Sequence, residues 1–342
     1  MKVHPKLAST LSYAFLGCWA VGVIVSFTGE RSAFGQASAG GIPLAPGVLR
    51  TIPPDPAEEE TLTRPVPLVE LLASLEGLEW TPNYLPKSET LVEKSKAIVL
   101  RREVWNLEFA FKPLRRIWVD MPQPTGKMQR KHIYYMVYRV KNVGNALAPK
   151  PIKDETFEHV TFGTERVNRE GLTFLPHFVL AGKVLQDGQY ATKEYLDRVL
   201  PYATEAIAAR ENISSKLYNT VEITRVRIPL SDDRNDRSIW GVVTWEDLDA
   251  RINYFSIYVQ GLTNAYKFVE ADSFEKGSPP GQGRKLTNKT LQLNFRRAGD
   301  ALFEHEEELH YGIRLEKNPT EQTKVLRLYG LKEPLDHLWI YR

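Results

Sequence analysis

The chain has 342 residues, enough for one large domain or two small ones with extensions. Apolar residues make up 42% and charged residues 25%, which supports a packed core and excludes a wholly disordered chain. The formal net charge is +3, and Lys2, Lys6 and Arg31 against Glu30 account for two of these charges. The remainder is nearly neutral and carries no general electrostatic footprint for nucleic acid.

Lys2 and Lys6 precede an uncharged run from Leu7 to Gly29, apolar through Ala14–Phe27, and small residues follow at Gly35-Gln36-Ala37. A cationic start, an apolar run and a small-x-small site form the pattern of a secretory signal. The run is also long enough to span a bilayer. Residues 1–37 are therefore read as a signal peptide cleaved after Ala37 or as a retained N-terminal anchor. Both readings place the rest outside the cytoplasmic membrane, since the cationic flank stays inside. The expected location is the periplasm or cell envelope, with membrane contact only through the N-terminal segment if it is kept. Cys18 is the only cysteine and lies inside the apolar run, so the exported body has no disulfide, thiolate metal site or cysteine nucleophile.

Residues 38–67 hold seven prolines, from Pro43 to Pro67, and an acidic run at Glu58–Glu60. This composition predicts a disordered linker, leaving 68–342 as the globular body. Leucines at helical spacing over Val66–Trp80 predict one short amphipathic helix. From Ala97 the signal is β. Leu107, Phe109 and Phe111 alternate with Glu108, Ala110 and Lys112, and Ile117–Val119 is a short run. His132–Gly144 is apolar on both faces for its first half, the pattern of a central strand. Val160–Phe162 and Leu172–Leu180 follow, and Lys183–Tyr190 reads as a hairpin turning at Asp187-Gly188.

Thr192–Arg210 is the helical stretch of the body, an insertion at about 192–210, with Pro201 either kinking one helix or starting a second. Val221–Ile228 reads as a strand with a bulge at Thr224-Arg225. Ile239–Trp245 and Ile252–Leu262 read as a hairpin around the acidic connection Glu246–Arg251. GSPPGQG at 277–283 is a loop. Leu291–Phe295, Val325–Leu331 and Leu338–Tyr341 are the last strands. The count and spacing of short strands predict a mainly β fold, an immunoglobulin-like β-sandwich with one helical insertion.

Tyr138–Ala146, YRVKNVGNA, resembles the strand ending of immunoglobulin-like bacterial adhesion modules. Tyr134–Asn142, Leu172–Phe178, the segment from Gly241 through Leu262 with its TWEDLDARINYFSIYVQGLTNAY, and the Leu338–Arg342 ending resemble a family of uncharacterised exported proteins of planctomycete bacteria. That likeness would cover most of the body. It implies export and no particular activity.

Few residues invite chemistry. His305 and His310 are five apart, so they share neither a helix face nor a strand face, and the spacing of a zinc helix is missing. Asp232, Asp236, Glu246, Asp247 and Asp249 lie in acidic connections that could offer oxygen ligands to calcium, although Arg234 and Arg237 interrupt the first and no loop glycine is present. No nucleotide loop or serine-hydrolase elbow occurs. Tyr254, Tyr258, Gln260 and Asn264 set aromatic rings beside amides, a surface suited to a glycan or a partner protein. The reading is a non-catalytic, exported, envelope-associated binding or structural protein with no cofactor. The alternative is a hydrolase of envelope polysaccharide or peptide using a carboxylate pair from Glu246, Asp247 or Asp249.

Overall fold

A computed structural model describes residues 42–45, 47–66, 98–153, 160–232, 234–269, 285–297 and 309–342. The expected signal segment, most of the Val66–Trp80 helix, the GSPPGQG loop, His159 and His305 lie outside the described residues.

The chain opens with β1 (Ile42–Pro43), β2 (Arg50–Ile52), a 3-10 turn at Glu58–Thr61 and β3 (Leu62–Val66). Next come β4 (Ile98–Arg101), β5 (Glu108–Phe111), β6 (Arg115–Pro122), β7 (Met128–Lys141), β8 (Ala146–Lys153) and β9 (Val160–Val167). Then β10 (Gly171–Thr173), β11 (His177–Gln186) and β12 (Gln189–Leu196) lead to helix α1 (Pro201–Glu211). After α1 come β13 (Leu217–Tyr218), a 3-10 turn at Glu222–Arg225, β14 (Arg227–Pro229), β15 (Ile239–Trp245) and β16 (Tyr254–Gln260). The chain closes with β17 (Tyr266–Val269), β18 (Lys285–Arg297), β19 (Leu309–Tyr311), helix α2 (Pro319–Tyr329) and β20 (His337–Tyr341).

The protein is mainly β. One sheet runs β1-β19-β18-β16-β11-β12, with β17 and β20 also on β18, and another runs β13-β15-β7-β5-β2, with β6 on β7. Both feed one core. Phe109, Phe111, Met136, Tyr138 and Val140 of the second sheet meet Phe178, Leu180, Phe255, Ile257, Leu291, Leu293 and Phe295 of the first. Met136, Tyr138 and Val140 of β7 enter this core, while Ile133, Tyr135 and Val137 pack under α1 with Leu200, Ala203 and Ile207. The central strand is thus covered on both faces, as its sequence requires.

Several expectations are corrected. Thr192–Leu196 belongs to β12, paired with β11 across the positive-φ turn Asp187-Gly188. The helix begins at Pro201, where the missing N–H costs nothing and the residue before proline is driven extended. β15 and β16 form no hairpin: β15 pairs with β7, and β16 with β11 and β18, so Glu246–Asn253 crosses between sheets. Glu222–Arg225 is a 3-10 turn and not a bulged strand. Val325–Tyr329 lies in α2, capped by the Asn318 side chain on Thr320 N–H and stopped by Gly330 at φ 73°. The stretch expected to be a linker is built into the body: Ile52 is buried, β2 pairs with β5, and Glu60 is buried.

Candidate functional site

From Met128 to Ile133, β7 pairs with β6 alone, so the two strands leave the sheet as an arm. The arm turns at Gln123–Lys127. Gln123 N–H donates to Lys127 O at 2.8 Å, Gly126 N–H to Gln123 O at 2.9 Å, and Gly126 takes φ +79°. One face, with Ile117, Val119, Met121 and Ile133, joins the apolar cluster under α1. The other face is a row of cross-strand pairs, Arg116 with Tyr134, Trp118 with His132 and Asp120 with Arg130. The Trp118 and His132 rings stack at 4.5 Å and 13°, and the Arg130 guanidinium carbon lies 5.6 Å from the indole centroid. Arg116 stands 5.8 Å from the Tyr134 ring. Such cation–π contacts hold the guanidinium heads against the rings; Arg130 is exposed and Arg116 half-buried. Trp118 is 41% exposed and Met128 61%.

Lys131 braces the arm against the crossover, 3.3 Å from Glu246 and 3.1 Å from Asp247. The hydrogen bond to Asp247 raises the pKa of this lysine. Glu246 also meets Arg198 at 2.8 Å. Asp249 accepts from Lys193 at 2.5 Å and from Arg251 at 2.9 and 2.7 Å, and these bonds, Arg251 first, hold its carboxyl far below the ordinary carboxylate range. A general acid needs the opposite shift. The crossover carries the three carboxylates from which a hydrolytic pair was expected, and each stands in an ion pair.

The other acidic candidates are turn caps. Asp232 accepts from the backbone N–H groups of Arg234 and Asn235, which lowers its pKa. Asp236 pairs with Arg139 at 3.0 Å and accepts from Ser238 N–H. Among the described residues no cluster of His, Cys, Asp or Glu could hold a metal ion. Because the carboxylates of these loops are already committed to backbone N–H groups and cations, added calcium or a chelator is expected to leave the thermal midpoint of the purified protein unchanged, which calorimetry would check; a calcium-dependent rise would return these loops to the metal-site candidates.

The tyrosine face exists, but Tyr254, Tyr258 and the nearby Asn264 are engaged. Tyr254 packs edge-on to Tyr329 of α2 at 6.0 Å. Tyr258 lies under the Arg342 guanidinium at 4.2 Å, and its burial raises its pKa. Gln260 pairs in register with His177 at the end of β16. Asn264 accepts from Trp105 N–H at 2.9 Å and donates to Glu103 O at 2.9 Å, clamping a loop. Tyr258, Gln292 and Ser256 share this outer face of the first sheet, where Gln292 donates to Ser256, Asn294 and Tyr329 O.

A second buried polar pair has a pH consequence. His337 lies 3.1 Å from the Tyr311 hydroxyl, and burial, then the Arg50 charge, pushes its pKa down from 6.5 to about 4. The folded state resists protonation, so the stability present above pH 6.5 is lost as pH falls towards 4. Urea unfolding is expected to show roughly 2 kcal/mol lost over that window, and a flatter profile for His337→Gln. An unchanged profile in the variant would refute the assignment.

The Trp118 row was missed in the sequence because Trp118 and His132 are far apart along the chain and meet only through the turn register. Comparison with protein-family models, curated proteins and solved structures found no match.

Proposed function

We propose that the chain is an exported, envelope-associated β-sandwich protein that acts by binding and not by catalysis, with the β6–β7 arm as its contact element. The observation that carries this is the state of the crossover carboxylates. Glu246 sits between Arg198 and Lys131, and Asp249 between Lys193 and Arg251. Asp249, held ionised by its two cations, is a poor proton donor. Exposed aromatic and cationic side chains on a braced arm instead suit recognition. The apolar N-terminal run and the likeness to exported planctomycete proteins support export. An envelope protein or glycan is the partner class proposed from the sequence, and an immunoglobulin-like arrangement is the finer form of the sandwich proposal.

The test is protease treatment of spheroplasts expressing the full chain with a C-terminal tag. Loss of the tag supports export; full protection in intact spheroplasts would sink it. Incubation with peptidoglycan is expected to release no fragments. Release abolished by Glu246→Gln would establish the hydrolase reading instead.

A further inference from the structure

We propose that the tip of the β6–β7 arm docks on an anionic phospholipid surface, with Met128 and Trp118 in the interfacial layer and Lys127 and Arg130 on lipid phosphates. This rests on the arm being the contact element, and it assigns that element a lipid surface in place of the protein or glycan partner proposed from the sequence. It does not depend on export or on the N-terminal segment.

Three observations carry it. The first is amphipathic exposure. The arm is open from Pro124 to Arg130, and Met128 at 61% and Trp118 at 41% stand among exposed cations. A tryptophan beside exposed methionine and basic residues is the composition of a membrane-interface element. The second is charge. Exposed Lys127 and Arg130 stand at the tip with Asp120 across from Arg130, while Arg115 and Lys131 are turned to Glu211, Glu246 and Asp247 of the body. The third separates lipid from the other polyanions. Sugars and bases bind tryptophan by stacking on an open ring face. In Trp118 the ring already stacks on His132 at 4.5 Å with Arg130 beside it. One face of the indole is thus taken, and an interfacial lipid layer needs no open ring face. The turn is held by two backbone hydrogen bonds, preceded by Pro122 and stiffened within by Pro124, so little ordering cost is left for docking.

The test uses the full chain with Cys18→Ser and Thr125→Cys, labelled at position 125 with an environment-sensitive fluorophore. The label reads the tip alone, whatever the N-terminal run does. Vesicles of phosphatidylcholine with phosphatidylglycerol are expected to shift the emission to the blue, and phosphatidylcholine alone is not. Lys127→Glu and Arg130→Glu should each weaken the titration at least about fivefold, as expected for about 1 kcal/mol per surface cation. Both sites are exposed, so the thermal midpoint should not move, and added salt should reverse the shift. No shift on anionic vesicles, or equal shifts on both vesicle types, would overturn the proposal. A shift with soluble alginate and none with vesicles would give the arm to an acidic glycan. Protection of the tag in spheroplasts would refute export and leave this result standing.

Discussion

Replacing Glu211 by alanine is expected to remove about 3–5 kcal/mol of stability, the range found when one partner of a buried ion pair is deleted. The side chain of Glu211 is 2% exposed and ends helix α1 against the second sheet. It accepts from the Tyr135 hydroxyl at 2.7 Å and from Arg115 at 2.9 Å, and its carboxylate lies 3.5 Å from Lys112. Lys112 also donates to the Glu211 carbonyl at 2.6 Å. Burial and the neighbouring carboxylate both raise the pKa of the Tyr135 hydroxyl, so it stays a donor across the working pH range. Alanine would strand two cations and a hydroxyl where water has little access. Tyr135→Phe removes one donor and should cost only about 1–2 kcal/mol. Urea unfolding followed by tryptophan fluorescence compares the two. Equal losses would mean that the cations find other partners and that α1 is held by apolar contact alone.

Lys289→Ala should have an effect of the same size for the same reason. Its side chain is 4% exposed and lies 2.6 Å from Glu60, itself 6% exposed. Glu60 further accepts from the Tyr341 hydroxyl at 2.6 Å and from Ala57 N–H at 3.0 Å, and Lys289 donates to Asp55 O. Among the described residues, the buried carboxylate then keeps only the neutral donors Tyr341 and Ala57, with Arg102 on the Glu60 carbonyl. Limited proteolysis provides a second readout: residues 50–61 should become cleavable in the variant while the wild type resists. If 38–67 were a free spacer, both proteins would be cut there alike and the stability would not change.

That contrast shows where the sequence stops being informative. Pro53, Pro54, Pro56 and Glu58–Glu60 have the composition of a spacer, and only distant residues, Lys289 and Tyr341, reveal that Glu60 is a core partner. Alternation located β5, β7, β16 and β18 because each has a face whose burial its own residues state. It could not say which strand lies beside which. Ile239–Trp245 and Tyr254–Gln260 look like hairpin arms, yet their partners lie on opposite sheets. Strand pairing is a long-range choice, and local pattern is silent about it. Helix α2 was misread for a different reason. Val325–Leu331 is apolar enough for a strand, but Asn318-Pro319 and Gly330 are helix punctuation that was there to be read. The tyrosine face was legible as a face. Its engagement by Tyr329 and Arg342 depends on α2 and the C-terminal strand folding over it.

The two ends of the described body close on one another. Ile42 pairs with Tyr311, and Glu60 meets a tyrosine 281 positions later. Whatever delivers this chain from its N-terminus, a ribosome or a translocation channel, presents Glu60 long before the strand that satisfies it. Non-local closure of this kind is slow and comes late. The body therefore completes its fold only after its last strand is released. A chain ending before Leu338 would leave Glu60 and Lys289 without the strand that seals them.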